Sequence, residues 1–98
     1  MIHSFRDRWL REYYLEDKAS KKIPAELEGR LFRKLQLIDD ATCDLDLRSP
    51  PSNHFEKLRG NLAGKHSIRV NKQWRLVFIW SGEHGEAQDI YLDNHDYR

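Results

Sequence analysis

Arginine carries most of the chemistry legible in this sequence, and one arginine stands in an unusual place. The run "GKHSIRVNKQWRLVFIW", Gly64 to Trp80, closes on "WRLVFIW", a nearly continuous apolar strand candidate with a permanent cation at Arg75. Alternation sets Trp74, Leu76, Phe78 and Trp80 on one face and Arg75, Val77 and Ile79 on the other. In the preceding candidate strand Ser67, Arg69 and Asn71 alternate with Ile68 and Val70, which puts Arg69 on the side of Arg75. Hairpin neighbours stand about 5 to 8 Å apart, and like charges held so close repel unless an anion lies between them. Two readings stand open: the guanidiniums gather around a bound anion, or Arg75 pairs with an acid from the last strand or the C-terminal tail.

The wider charge pattern extends the first reading. Between Arg48 and Arg75 seven cations (Arg48, Lys57, Arg59, Lys65, Arg69, Lys72 and Arg75) stand against one acid, Glu56, a local charge of +6 in a chain whose net charge is +1. Acids flank this segment: Asp39, Asp40, Asp44 and Asp46 before it, and Glu83, Glu86, Asp89, Asp93 and Asp96 after it. Such segregation aims a positive field at a polyanion although the molecule as a whole is nearly neutral. A solvated face of ordinary lysines is the alternative, and charge alone does not separate the two.

The elements that must position these cations follow from periodicity. A chain of 98 residues, 39% hydrophobic and 34% charged, is expected to form one domain over 1–98 with one core, and it excludes a membrane protein. "MIHSFRDRWL" has no apolar h-region, so no signal peptide is expected. The single Cys43 can form no internal disulfide and lacks zinc-site partners, which points to the cytoplasm. Met1 to Phe5 reads as a short edge strand, and the aromatic stripe Phe5, Trp9 and Tyr13 predicts a helix over 6–17. Pro24 opens a second helix, lined by Leu27, Leu31, Leu35 and Ile38, which runs to a turn at "DDATCDLD". Pro50 and Pro51 mark a rigid connection, after which strands are expected near 54–58, 65–71, 74–81 and 87–93. The fold class is therefore α+β: two N-terminal helices packed on one face of a small, mainly antiparallel sheet.

At this point the residues form a recognisable set. The run "LRSPP" at 47–51, the block "EKLRGNLAGKHSIRVNKQWRLVFIW" at 56–80, the closing "HDYR" at 95–98, the opening "MIHSF" and "LQLIDDAT" at 35–42 together resemble the HigB-type toxins of the RelE/ParE superfamily of toxin–antitoxin systems. The resemblance covers nearly the whole chain. It implies a RelE-like fold and a ribosome-dependent endoribonuclease that cuts messenger RNA in the small-subunit decoding site, using no metal or other cofactor. It also implies neutralisation by a HigA-like helix-turn-helix antitoxin, through which the pair would meet operator DNA.

Cleavage of that kind uses the ribose 2′-hydroxyl as nucleophile, so the protein must stabilise charge on a five-coordinate phosphate and help move two protons. By the resemblance, Arg59 and Arg75 supply the charge stabilisation, on the order of 3 kcal/mol per preorganised donor. Asp96 and Tyr97 match the family's acidic and tyrosine positions. Glu56 stands where some relatives have a histidine and is a candidate general base, with pairing to Lys57 or Arg59 as the alternative. Lys57, Lys65, Arg69 and Lys72 would contact RNA phosphates. Many relatives end in "DYH", whereas this chain ends in Arg98; His54 and His95 lie near enough to substitute for the missing imidazole, with a solvated or hydrogen-bonded histidine as the favoured alternative for each.

Two other readings compete. ParE-like members of the superfamily act on DNA gyrase without cutting RNA, and fold alone does not separate them from nucleases; the set Arg59, Arg75 and Tyr97 follows the RNA-cutting branch. A plain RNA-binding module would expose stacking aromatics, yet most sheet aromatics here alternate onto the core side.

Overall fold

The computed structural model describes residues 1–95, and its architecture is the expected α+β arrangement. Helix α1 spans Arg8–Glu16 and buries Leu10 and Tyr13. It stops at Asp17, which adopts the left-handed conformation at φ 56° and returns its N–H to the Glu12 carbonyl. After Pro24, one turn of 3-10 helix at Ala25–Leu27 leads into α2, Glu28–Asp40. Leu27, Leu31, Leu35 and Ile38 are completely buried, as their spacing predicts for one helical stripe. The Tyr13 hydroxyl donates to the Glu28 carbonyl, and Tyr14 donates to Asp39 Oδ2 at 2.9 Å. Burial first, and the Asp39 carboxylate second, keep the Tyr14 phenol protonated far up the pH scale.

One element departs from expectation. The "DDATCDLD" segment does not merely turn; Asp44–Arg48 forms a short helix, α3. Asp46, in the first turn of this helix, reaches back to accept from the Thr42 backbone N–H at 2.9 Å and its hydroxyl at 3.1 Å, tying the preceding segment to the helix start. Asp44 and Asp46 also complement the positive end of the helix, and Leu47 is fully buried. The Pro50-Pro51 connection leads into a 3-10 turn at Pro51–Asn53. Asn53 is fully buried, with its amide nitrogen donating to the Leu47 and Ser49 carbonyls at 3.1 Å each, and it thereby ties this connection to α3.

Four antiparallel strands follow in the order β1 (Glu56–Lys57), β2 (His66–Arg69), β3 (Trp74–Ser81) and β4 (Glu86–Asn94). β3 and β4 match the expected ranges closely, whereas β1 and β2 are shorter than expected. The N-terminal segment bridges β4 in parallel at Ile2–Ala87 and Phe5–Ile90, the one parallel component among the described residues. Leu76, Phe78 and Trp80 join the helices' leucines in the core, with Trp74 packed against it, as alternation requires. The other face of β3 carries Arg75, Val77 and Ile79 and is the surface on which a site must be sought. Among the described residues, no helix is long and apolar enough to cross a membrane.

Candidate active site

The register of the sheet decides how Arg75 is used. Arg75 lies opposite Arg69 of β2 on one side and Asp93 of β4 on the other, so three charged side chains form one row across the sheet. Arg75 Nε donates to Asp93 Oδ2 at 2.9 Å, and only 10% of the arginine side chain remains exposed, against 33% for the aspartate. Of the two readings open for Arg75, pairing with an acid from the last strand is thus realised. A guanidinium in an inner strand loses most of its hydration, and a carboxylate on the neighbouring strand compensates that loss. The pair also fixes the arginine's direction. Of its five N–H donors, Asp93 takes the one on Nε, and the four Nη donors belong to the far end of a planar, oriented group.

Arg59 does not join this pair. It follows Leu58, whose N–H reaches the Lys65 carbonyl at 2.9 Å, so it stands near the Lys65 end of β2 while Arg75 stands beside Arg69. Those ends are separated by about 13 Å of strand, and β1 and β3 are a further two strand spacings apart, about 10 Å. The register thus sets the Arg59 and Arg75 backbones in different rows and on non-adjacent strands. The physical reason is register: β1 starts at Glu56 opposite Ser67 and runs antiparallel to β2 toward Lys65, away from the level of Arg75. Glu56 lies nearer. It faces Ser67, which faces Val77, so it occupies the row adjacent to Arg69–Arg75–Asp93 on the same face, and it is exposed.

The four lysines and arginines expected to touch RNA do not act as one group. Lys65 is drawn into a second cluster created by a bulge in β4. Val77 faces Tyr91 but Ile79 faces Gln88, so β4 carries an extra residue, and Asp89 takes the left-handed conformation at φ 55°. This re-aims the Asp89 carboxylate at Arg6 Nη2, 2.7 Å away, and at Lys65 Nζ, 3.7 Å away. Arg6 lies over the Tyr91 ring, 3.9 Å from its centroid, and Lys65 approaches the same ring at 5.3 Å. The hydrogen bond from Arg6 is the main reason the Asp89 carboxyl titrates below the ordinary range. Lys65 therefore has a carboxylate neighbour in Asp89. Lys57 is exposed on β1, opposite His66 and away from the Arg75 face.

Arg69 and Lys72 enter a different arrangement, which the strand pattern did not disclose. They line a pocket of about 590 Å³ together with Arg30, Arg33 and Lys34 of α2 and His54. Among the described residues, none that line it is acidic. The signal was present in the helix: Arg30, Arg33, Lys34 and Leu37 recur at i, i+3, i+4, i+7 along the flank of the leucine stripe. Lys34 donates to the Asn53 side-chain oxygen, and burial first, then Arg30 and Arg33, lower its pKa. The backbone N–H of His95 donates to the Gln73 carbonyl at 2.5 Å, so the end of the described chain lies beside the start of β3, at the Arg75 end. The candidate residues Asp96 and Tyr97, and the terminal Arg98, lie outside the described residues.

Comparison with known proteins bears on both fold and family. Residues 3–95 match the sequence model of the HigB-like toxins, described as the RelE-like toxin of the type II toxin–antitoxin system HigB. Toxin HigB-1 of Vibrio cholerae serotype O1 is 50% identical over 97 residues, an alignment covering 99% of this chain and all of that protein. An uncharacterised protein of Haemophilus influenzae is 43% identical over 93 residues, 95% of this chain and 90% of its own. Among solved structures, a YoeB-YefM complex from Staphylococcus aureus contains a chain that superposes with a TM-score of 0.53 at 21% identity, covering 99% of both chains, which is a likeness of fold. The chain belongs to the HigB-like family of RelE-like toxins of type II toxin–antitoxin systems.

Proposed function

We propose that this toxin is a ribosome-dependent endoribonuclease that cuts messenger RNA in the decoding site and is held inactive by a HigA-like helix-turn-helix antitoxin. The observation that carries the reading is the oriented Arg75, held through Nε by Asp93 with Arg69 as its cross-strand neighbour. In the proposed reaction the 2′-hydroxyl attacks the adjacent phosphorus, the bond to the 5′-oxygen breaks, and a 2′,3′-cyclic phosphate forms. The proton of the 2′-hydroxyl passes to a base, and another proton is delivered to the departing 5′-oxygen. Arg75 cannot act as either base or acid near neutral pH. Its Nη donors instead meet the charge that grows on the phosphoryl oxygens, with no reorientation needed at that moment. Asp93 is the positioning residue.

Glu56, on the same face one row away, is the candidate base. Asp96 and Tyr97, next in sequence after His95, are the candidates for the remaining proton transfer. Arg59 then serves strand binding near the β1 end of the sheet rather than the scissile phosphate. The family name and the toxin–antitoxin complex of the Staphylococcus aureus relative support an antitoxin partner, and the cytoplasm is the compartment where ribosome and message meet.

Induction of the chain without antitoxin is expected to arrest growth, with primer extension revealing cuts inside translated reading frames. Cuts of equal strength in untranslated RNA would remove ribosome dependence. Growth arrest with intact transcripts and broken DNA would favour the ParE-like reading, action on gyrase.

A further inference from the structure

The acidic stretch before the basic segment has no part in the proposed cleavage, and the fold shapes it into an open groove of about 940 Å³ between the end of α2 and α3. Leu37, Ala41 and Leu45 are its apolar lining, and Leu45 is 72% exposed. A leucine exposed on its own is ordinary, but this one stands in a concave site beside other apolar groups, on a helix that the fold holds firmly. Leu47 is buried under α3, Asp44 accepts from Trp80 Nε1 at 2.7 Å, Asp46 accepts from Thr42, and Asn53 donates to the Leu47 carbonyl. The groove is thus preformed, and a partner that enters it has little of the toxin to order. Charge runs along it in one direction. Arg33, Leu37 and Ala41 recur every fourth residue along one line of α2, a span of about 12 Å, while Asp40 follows Leu37 and Asp46 lines the groove from α3. Arg33 and Asp40 make no ion pair among the described residues. Hydrogen bonds from Thr42 hold the Asp46 carboxyl below the ordinary carboxylate range, so it stays charged.

We propose that this groove seats the antitoxin, through a helix that presents an apolar side chain to Leu37 and Leu45 and a lysine or arginine to Asp40 and Asp46. The inference rests on the antitoxin reading and locates the contact on the toxin. Charge complementarity selects the occupant: among the described lining residues two acids stand against the one cation, Arg33, and Asp39 and Asp44 add to the same field. A nucleic acid is repelled by such a surface. A second copy of the chain fits it poorly, because two concave faces laid against each other enclose a void and double the surplus of acid. A convex cationic helix fills the apolar lining and neutralises that surplus in one contact.

The test titrates the full-length toxin with the antitoxin encoded beside it, by surface plasmon resonance at several salt concentrations. Leu45→Ala and Asp40→Lys change the groove, and Leu15→Ala removes another exposed leucine, on α1 and outside the groove, as the control. Leu45→Ala is expected to weaken binding about tenfold or more, chiefly through faster dissociation. Asp40→Lys is expected to slow association severalfold at low salt and to flatten its salt dependence, and Leu15→Ala to change neither. Growth arrest by Leu45→Ala without antitoxin is expected at wild-type strength, while the antitoxin level that rescues wild type no longer suffices. Wild-type affinity in both groove variants overturns the proposal, as does an equal loss in Leu15→Ala. Self-association of the toxin alone that Leu45→Ala abolishes, seen by sedimentation velocity, gives the groove to a second copy and overturns it too. A wild-type toxin that binds no antitoxin fails the antitoxin reading itself, whereas tight wild-type binding indifferent to the groove substitutions fails only the groove.

Discussion

Asp93→Asn removes the charge that compensates Arg75 while leaving its shape almost unchanged. Arg75 retains 10% of its side-chain exposure and Asp93 33%, so the pair lies between a surface ion pair and a buried one. Exposed pairs contribute below about 1 kcal/mol, whereas removal of one partner from a buried pair costs about 3 to 5 kcal/mol. The partial exposure of Asp93 brings the expectation to about 2 to 3 kcal/mol, and Arg69 on the opposite side adds repulsion to an uncompensated guanidinium. For a chain of this size that loss lowers the melting temperature by roughly 10 to 20 °C. Urea unfolding of wild type, Asp93→Asn, Arg75→Met and the double variant closes a cycle that isolates the pair. The double variant is expected to be more stable than Asp93→Asn alone, because methionine keeps the apolar stem and leaves no orphaned charge. Stability within about 0.5 kcal/mol of wild type for Asp93→Asn, together with additive single effects, would refute the idea that the carboxylate holds Arg75 in place.

Three further perturbations test the scaffold around the site. Gly85 has φ +64°, and an added Cβ would come within 2.8 Å of Thr42 Cα, so Gly85→Ala is expected to lose more than about 2 kcal/mol in urea unfolding; an unchanged midpoint would contradict the tight approach of this turn to the end of α2. Asn53→Ala removes the donor to the Leu47 and Ser49 carbonyls and the acceptor for Lys34, and about 2 to 3 kcal/mol of stability should go with it, a loss that Asn53→Asp should not fully repair. The ring of His66 stacks on Phe55 at 5.1 Å, and burial lowers its pKa. The unfolded chain then takes up the proton first, so stability should fall as pH drops below about 6.5; an NMR titration of His66 with its midpoint at or above that value would contradict this.

What the sequence disclosed, and what it withheld, follows from the range of each interaction. The leucine stripe of α2 and the alternation of β3 are local periodicities reinforced by burial, so the core face and the side on which Arg75 lies were legible from residue spacing. The acidic partner of Arg75 was legible only as one of two readings, because it depends on the register between β3 and β4, and the bulge at Asp89 makes that register impossible to count from loop length. The backbone placement of Arg59 relative to Arg75 was hidden for a related reason: it depends on the register of β1 against β2, which residue type does not disclose. Helix α3 was missed because its stabilisation comes from one back-reaching Asp46 and the burial of one leucine rather than from a periodic stripe. The basic flank of α2 lay in view beside its apolar stripe. Its meaning emerged only when the fold carried Arg69 and Lys72 to the same place.

Cleavage of end-labelled message on programmed ribosomes by wild type, Arg75→Ala and Arg59→Ala tests the central claim most directly, with circular dichroism confirming that each variant is folded. The oriented Arg75 predicts a fall of about a hundredfold or more in the single-turnover rate for Arg75→Ala at saturating ribosome. For Arg59→Ala it predicts a much smaller change that higher ribosome concentration restores. Wild-type cutting by folded Arg75→Ala, or equal and irreparable loss in both variants, would contradict it.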